Sequence, residues 1–344
     1  MSSAVLRLPA EWEAQAGILL AWPHAGTDWA ERLADVEVTY TALVAAITQF
    51  EPALICAASN EIRAQAEKLL NKAKVDLTRV RFIDIDYDDT WLRDSGPITL
   101  SDGATFRLND YHFTGWGGKF AASRDDQLIQ GLVAREVFGA AEHKRIDWAL
   151  EGGAIESDGA GTILTTWRCL QQRHPTQPRA EMTQTLKQSL AAERVLWLEH
   201  GYLEGDDTDA HIDTLARFAP DGSIVFQACD DIGDMHHAEL THMGAELAAL
   251  RHPDGSPYVL RPLPWAKPIR DGERRLAASY ANYLVVNDAV LVPAYDDIAD
   301  ARAAEIIGAA HPGRVVVQVP CRALIWQNGS LHCVTMQLPQ GVLA

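Results

Sequence analysis

Short apolar runs rich in β-branched residues recur along the chain, each bounded by Gly, Pro, Asp or Asn. They occupy residues 17–21, 53–57, 80–85, 162–166, 195–198, 224–228, 283–286, 289–292 and 315–319. Runs of this length between turn formers read as strands. The longer segments between them place apolar residues at helical spacing. Over residues 33–50, Leu33, Val36, Tyr40, Leu43, Val44 and Ile47 share one stripe, the pattern of an amphipathic helix. Residues 61–70, 125–138, 181–190, 237–250 and 300–310 repeat it, with Asp300 placed to cap the last. Alternating strands and helices predict an α/β fold. No Gly- or Ser-rich linker divides the chain, so a single domain over residues 1–344 is expected. The modules recur at comparable spacing, which suggests a repeated architecture; periodicity alone leaves Rossmann-like and barrel folds equally open. GxGxxG and GxxxxGK[ST] are both missing, so phosphate cradling has no motif behind it.

Composition narrows the function. Hydrophobic residues make up 47% of the chain, enough for a sizeable core, while 47 acidic against 30 basic residues give a net charge of -17. Such a field repels nucleic acid and anionic membranes and attracts cations, although solubility alone accounts for a charge of this sign. The five cysteines, Cys56, Cys169, Cys229, Cys321 and Cys333, are odd in number, widely spaced and without a CxxC pair. That argues against a disulfide framework and a zinc knuckle. Residues 1–9 lack a basic start followed by an apolar stretch, and the apolar runs are far too short to span a bilayer. A cytoplasmic protein without membrane or nucleic-acid partners is expected, and a homo-oligomer is compatible with the sequence.

Four polar clusters lie beside the apolar runs. Residues 88–97 (DDTWLRDSGP) follow the run at 80–85 and end in a Gly-Pro turn, at a strand end where functional groups concentrate. Read blandly, they form a solvated acidic turn with Arg93 pairing its neighbours. Residues 151–156 (EGGAIE) hold a Gly pair that marks a turn or a close backbone approach. In residues 205–213 (GDDTDAHID), a strand starting at His211 would put His211 and Asp213 on one face, an acid/base beside a charge partner. Residues 328–335 (NGSLHCVT) place Cys333 in an apolar setting. A cysteine there is more often a buried small hydrophobe than a nucleophile, and His332 would face away from it. A thiol, a separate His and several carboxylates nonetheless meet the needs of nucleophilic catalysis by an activated thiolate.

Taken in order, residues 90–97 (TWLRDSGP), 115–119 (GWGGK), 151–153 (EGG), 205–213 and 332–335 (HCVT) resemble the agmatine deiminases, and are also similar to the bacterial peptidylarginine deiminases. The resemblance implies a five-bladed α/β propeller of ββαβ modules. It further implies hydrolytic deimination of a small cationic guanidino substrate, agmatine first, with no cofactor and no metal. Carried over, Cys333 is the nucleophile and His211 the acid/base. Asp94 and Asp213 clamp the guanidinium, and Glu151 orients His211. Trp91 and Trp116 line the channel, Asp207 meets the distal amine, and Asn282 lies near the site. Ala210 stands where a Gly is commoner, and residues 327–330 (QNGS) replace a more Gly-rich approach to the Cys. Rival readings are deimination of C-terminal peptidylarginine, amidino transfer to an amine, and a silent binding protein of the same fold. A metallohydrolase built on Asp206, Asp207, Asp209, His211 and His236 or His237 is a rival of a different class; its spacing matches no metal motif.

Overall fold

In the computed structural model, residues 6–344 are described; part of the 1–9 segment read above lies outside that range. The chain is a mixed α/β fold in which one connection pattern recurs in five sheets. In each, a central strand pairs antiparallel with one neighbour and parallel with the other, and the parallel step crosses over through helix. The central strands are Gln15–Ala21, Phe106–His112, Thr162–Thr166, Ser223–Gln227 and Ala289–Ala294. The first sheet takes its antiparallel strand, Met336–Pro339, from the far end of the chain and adds Val80–Asp84 as a fourth strand.

Four of these central strands are covered on both faces, which makes them continuous apolar runs of the kind legible in the sequence. In Ala289–Ala294 the first five residues are buried, and Leu291 pairs with Leu284 on one side and Val317 on the other. Outer strands such as Glu142–Ala149 are half exposed and carry mostly polar residues, so periodicity missed this one. Strands at Ile98–Ser101, Phe106–His112, Ile155–Ser157, Ala216–Phe218, Val259–Leu263 and Met336–Pro339 escaped notice for their shortness or mixed polarity.

The helices match their stripes with shifted ends. Leu33–Ile47, Asn60–Lys72, Arg179–Ser189, His237–Ala249 and Asp300–Ala310 are continuous, whereas the 125–138 segment divides into a 3-10 turn and the helix Leu128–Ala134. Asp300 does not cap its own helix. Its carboxylate accepts from the Tyr280 hydroxyl at 2.7 Å and from the Tyr295 and Asp297 amides at 3.1 Å, locking the preceding loop instead.

Truncating Leu291 to Ala should cost about 2–5 kcal/mol, because the cavity opens between two paired strands. Val315→Ala, at an exposed edge position, should stay within roughly 0.5 kcal/mol of wild type. Urea melts of both variants check the contrast; equal midpoints would contradict the assigned core.

Candidate active site

Each of the five connections leading out of one sheet and into the next delivers a polar group to one region. Asp94 comes from the segment between Val80–Asp84 and Ile98–Ser101, and Glu151 from that between Glu142–Ala149 and Ile155–Ser157. His211 and Asp213 follow Arg194–Leu198, Asn282 follows Val259–Leu263, and Cys333 follows Val315–Pro320. The strand expected at His211 is instead a 3-10 turn, Ile212–Thr214, entered through positive φ at Asp209 and Ala210. Cys333 likewise lies in a turn and not in a strand, which begins at Met336. These positions need tight turns to aim side chains inward, and period-two alternation does not apply to them.

Cys333 is buried, and its Sγ lies 3.1 Å from Asn282 Nδ2 and 3.6 Å from Asp213 Oδ2. Burial, reinforced by the Asp213 and Asp94 anions, pushes the thiol well above its usual range. Asn282 therefore donates to the sulfur directly, a closer role than the sequence suggested. Asp94 is likewise buried; its Oδ1 accepts from the Gly153 amide and its Oδ2 from the Trp116 indole, both at 2.9 Å. Burial raises this carboxyl to about 6 against the opposing pull of His211. Trp116 reaches it from a backbone at φ 56°, a left-handed setting that costs a non-glycine residue free energy. A Cβ on Gly153 would sit 2.6 Å from His211 Nδ1 and 2.8 Å from Asp94 Oδ1. The Gly pair at 152–153 thus marks a close approach.

His211 is fully buried, with Nδ1 3.6 Å from Asp94 and Nε2 3.6 Å from Glu151. Burial opposes its charge, yet Asp94, Cys169 and Glu151 together raise it well above the usual histidine range, so it rests as an imidazolium. Glu151 is held ionised, at about 2, because His211 and Arg173 outweigh its burial; Arg173 Nε donates to it at 2.6 Å. Both His211 nitrogens, Glu151 Oε2 and Asp213 Oδ1 are buried without a hydrogen-bond partner among the described residues. Unmet valences of this kind are costly unless a ligand uses them.

Above this floor opens a funnel of about 680 Å³. Trp91 and Trp116 line it, and Asp207 stands on its wall, half-buried and accepting from Asn328. Asp28, Asp88, Asp89, Asp125 and Asp271 line the same cavity, with Arg274 the one cationic side chain among the described residues lining it. Asp88, the first residue of the acidic cluster at 88–97, thus reaches the pocket. Ala210 and Asn328 both adopt left-handed backbone, φ 72° and 70°. This explains why a Gly is commoner at the first position and why a Gly-rich approach suits the second.

The proposed metal set does not converge. Asp206 accepts the Thr208 and Ala210 amides, Asp209 pairs with Lys119 and Arg173, and His236 pairs with Asp234. Among the described residues, Glu151, Cys169 and His211 do bring three ligand types within 4.8 Å. The Arg173 guanidinium on Glu151 and the charge on His211 work against a cation there. Sequence reasoning set His332 aside and missed Glu11, Arg173 and Arg217. Arg217 had a signal, an arginine inside the apolar strand Ala216–Phe218; Glu11 had none.

A floor of this kind can fix a planar cation beside sulfur, the requirement of thiol-dependent chemistry on a guanidine. A family profile described as Porphyromonas-type peptidyl-arginine deiminase matches residues 7–339, and the chain belongs to that family. The agmatine deiminase of Pseudomonas aeruginosa (strain LESB58) is 32% identical, the match covering 97% of this chain and 95% of that protein. The C. jejuni agmatine deiminase, solved with substrate bound, superposes at TM-score 0.90 with 32% identity, covering 99% of this chain and 98% of that one. The Enterococcus faecalis agmatine deiminase gives TM-score 0.89 at 26% identity, covering 98% and 96%.

Replacing Asp94 with Asn should lower kcat/KM roughly 30-fold or more, since removing one partner of a buried charge pair costs about 2–5 kcal/mol. Asp254→Asn, in a remote exposed turn, is the control. In the wild type kcat/KM should fall as pH drops through about 6, where Asp94 takes up a proton. A pH profile flat to well below that value would remove Asp94 from substrate binding.

Proposed function

We propose that this protein hydrolyses agmatine to N-carbamoylputrescine and ammonia through a covalent intermediate on Cys333. The observation that carries the reading is a buried thiol beside two buried carboxylates, Asp94 and Asp213, at the floor of an aspartate-walled funnel. The two carboxylates accept the guanidinium N–H groups in charge-assisted bonds, which holds the central carbon in a near-attack position. The bound cation offsets the burial that keeps Cys333 protonated, and the thiolate forms.

Sulfur adds to the guanidinium carbon, and His211, starting as the imidazolium, gives its proton to the departing ammonia. The remaining thiouronium is attacked by water. His211 takes one proton from that water, the tetrahedral adduct expels the thiolate, the adduct's hydroxyl proton passes to Cys333 as the carbonyl forms, and the neutral ureido product leaves. Glu151 keeps His211 oriented and charged between cycles. Trp91 and Trp116 flank the aliphatic chain, and Asp207 meets the distal ammonium. The chemistry calls for no metal or cofactor.

Peptidylarginine presents a carboxylate where agmatine presents an amine. A wall of aspartates with Arg274 as the nearby cation suits the amine, and Arg274 already donates to Trp326 O at 2.5 Å. We read the five sheets as blades of an α/β propeller closed by Met336–Pro339, one catalytic domain throughout. The repeated connection pattern and the convergence of all five inter-sheet segments support this. No helix among the described residues is long and apolar enough to cross a membrane; with the acidic charge and free cysteines, this fits the cytoplasmic placement.

Ammonia release from agmatine should exceed that from free arginine and from arginine peptides by orders of magnitude. A preference for the peptides would overturn the substrate assignment. Cys333→Ser should abolish turnover while substrate still binds, and wild-type protein quenched during turnover should show a substrate-derived adduct on Cys333 by mass spectrometry. Dialysis against EDTA should leave the rate unchanged; loss restored by zinc or manganese would return the metallohydrolase reading.

A further inference from the structure

Behind Asp213 runs a chain of buried charges that the reaction as written does not use. His332 Nδ1 lies 2.7 Å from Asp213 Oδ2, and its Nε2 lies 2.7 Å from Glu11 Oε2. Glu11 also accepts from Arg217 at 2.7 Å and from the Val285 amide at 2.7 Å, with Arg93 at 3.8 Å. Arg217 is held in turn by Glu156 and the Tyr283 carbonyl. The His332 backbone is pinned as well, its amide donating to Asn282 Oδ1 at 3.0 Å, the same side chain that donates to Cys333 Sγ.

We propose that His332 is a positioning residue for the clamp, an imidazolium donating to Glu11 on one side and Asp213 on the other. The inference rests on the deiminase reading. Ionised carboxylates only accept hydrogen bonds, and a neutral imidazole has a single N–H. Two ring nitrogens, each at 2.7 Å from a carboxylate oxygen, are satisfied together only by the doubly protonated ring. Burial and the guanidiniums of Arg217 and Arg93 pull the ring below the usual histidine range, against Glu11 and Asp213. The two 2.7 Å contacts to carboxylate oxygens stand against that direction, since a neutral ring would leave one of them without a proton. Glu11 is itself held well below the usual carboxylate range, because Arg217, His332 and Arg93 outweigh its burial. Arg217 donates at 2.7 Å to the same Glu11 oxygen that faces His332, so the proton does not rest on that carboxylate.

The arrangement has two consequences for the site. Asp213 Oδ2 is committed to His332, so Oδ1, free of other partners among the described residues, is aimed for the substrate. Asp213 also stays ionised although buried and near Asp94. Glu11 acts one step further out, as the anchor that fixes the ring and its charge, much as a carboxylate orients a metal-bound histidine.

Nitrogen-15 NMR of protein labelled in histidine tests the protonation without reference to turnover. Wild type should show a ring with both nitrogens protonated from about pH 6.5 to 8.5, beyond the ordinary histidine range, and His332→Asn should remove that signal. A His332 ring nitrogen without a proton in that range overturns the proposal. Glu11→Gln tests the consequence. It should lower kcat/KM by roughly 10- to 100-fold, the scale of losing an orienting partner, in KM more than kcat. The acid limb of the profile should move to higher pH and steepen, because Asp213 now titrates alongside Asp94. An unmoved profile with only a lowered melting temperature would make the couple structural and overturn it. If wild type showed no agmatine hydrolysis, the functional reading would fail while the spectrum still judged His332.

Discussion

Everything at the centre of this protein follows from holding carboxylates ionised where water is excluded. Asp94, Asp213, Glu151, Glu11 and Glu156 are all buried, and each would protonate if left alone in such surroundings. Against them stand five buried cations, Arg93, Arg173, Arg217, His211 and His332. With Glu156, which burial raises to about 7 despite Arg217, counted as an anion, the floor is close to neutral as long as Cys333 keeps its proton. Adding a substrate guanidinium leaves one positive charge uncompensated, and ionisation of Cys333 is the change within reach that restores balance. On the proposed reading, the nucleophile is thus switched on by the molecule it attacks.

That network also explains the architecture's demands. The counter-ions come from strands and segments scattered along the chain: Glu11 precedes the first sheet, Arg217 lies in the fourth, and His332 sits just before the closing strand. Breaking a buried pair by removing one partner leaves a charge uncompensated at a cost of about 3–5 kcal/mol. The five sheets must therefore meet with little tolerance. Met336–Pro339, pairing with Gln15–Ala21, ties the Cys333 turn to the start of the chain where Glu11 resides.

Legibility from the sequence followed the same division. Central strands such as Ala53–Ala57 and Thr162–Thr166, and the helix Asp300–Ala310, could be read to the residue, because burial on both faces or on one stripe leaves a periodic trace. Edge strands such as Glu142–Ala149 leave little. Cys333, His211 and Asp213 became candidates as residue types that nucleophilic catalysis needs, while the roles of Asp94 and Glu151 came through the ordered motifs. The means by which they act were hidden. That Trp116 would hydrogen-bond Asp94 depends on a contact across 22 residues, and that His332 would hold Asp213 on one across 119. A one-residue alternation argument set His332 aside as base, although the segment is a turn and not a strand, and so overlooked it as a support.

The charge argument extends to release. On the proposed reading, agmatine enters carrying a cation at each end, and both the funnel and the clamp favour it. N-carbamoylputrescine keeps the distal ammonium but ends in a neutral ureido group. The clamp that gripped a guanidinium then faces a group without charge, and its charge-assisted bonds weaken to ordinary ones. With the guanidinium gone, the five buried carboxylates and the Cys333 thiolate are six anions against five cations. Cys333 recovers its proton, and the floor returns to the balance from which it started. Only Asp207 still holds the product, at a partly exposed site where an ion pair contributes little. One electrostatic constraint, near-neutrality of a buried floor, therefore selects the substrate, ionises the nucleophile and lets the product go.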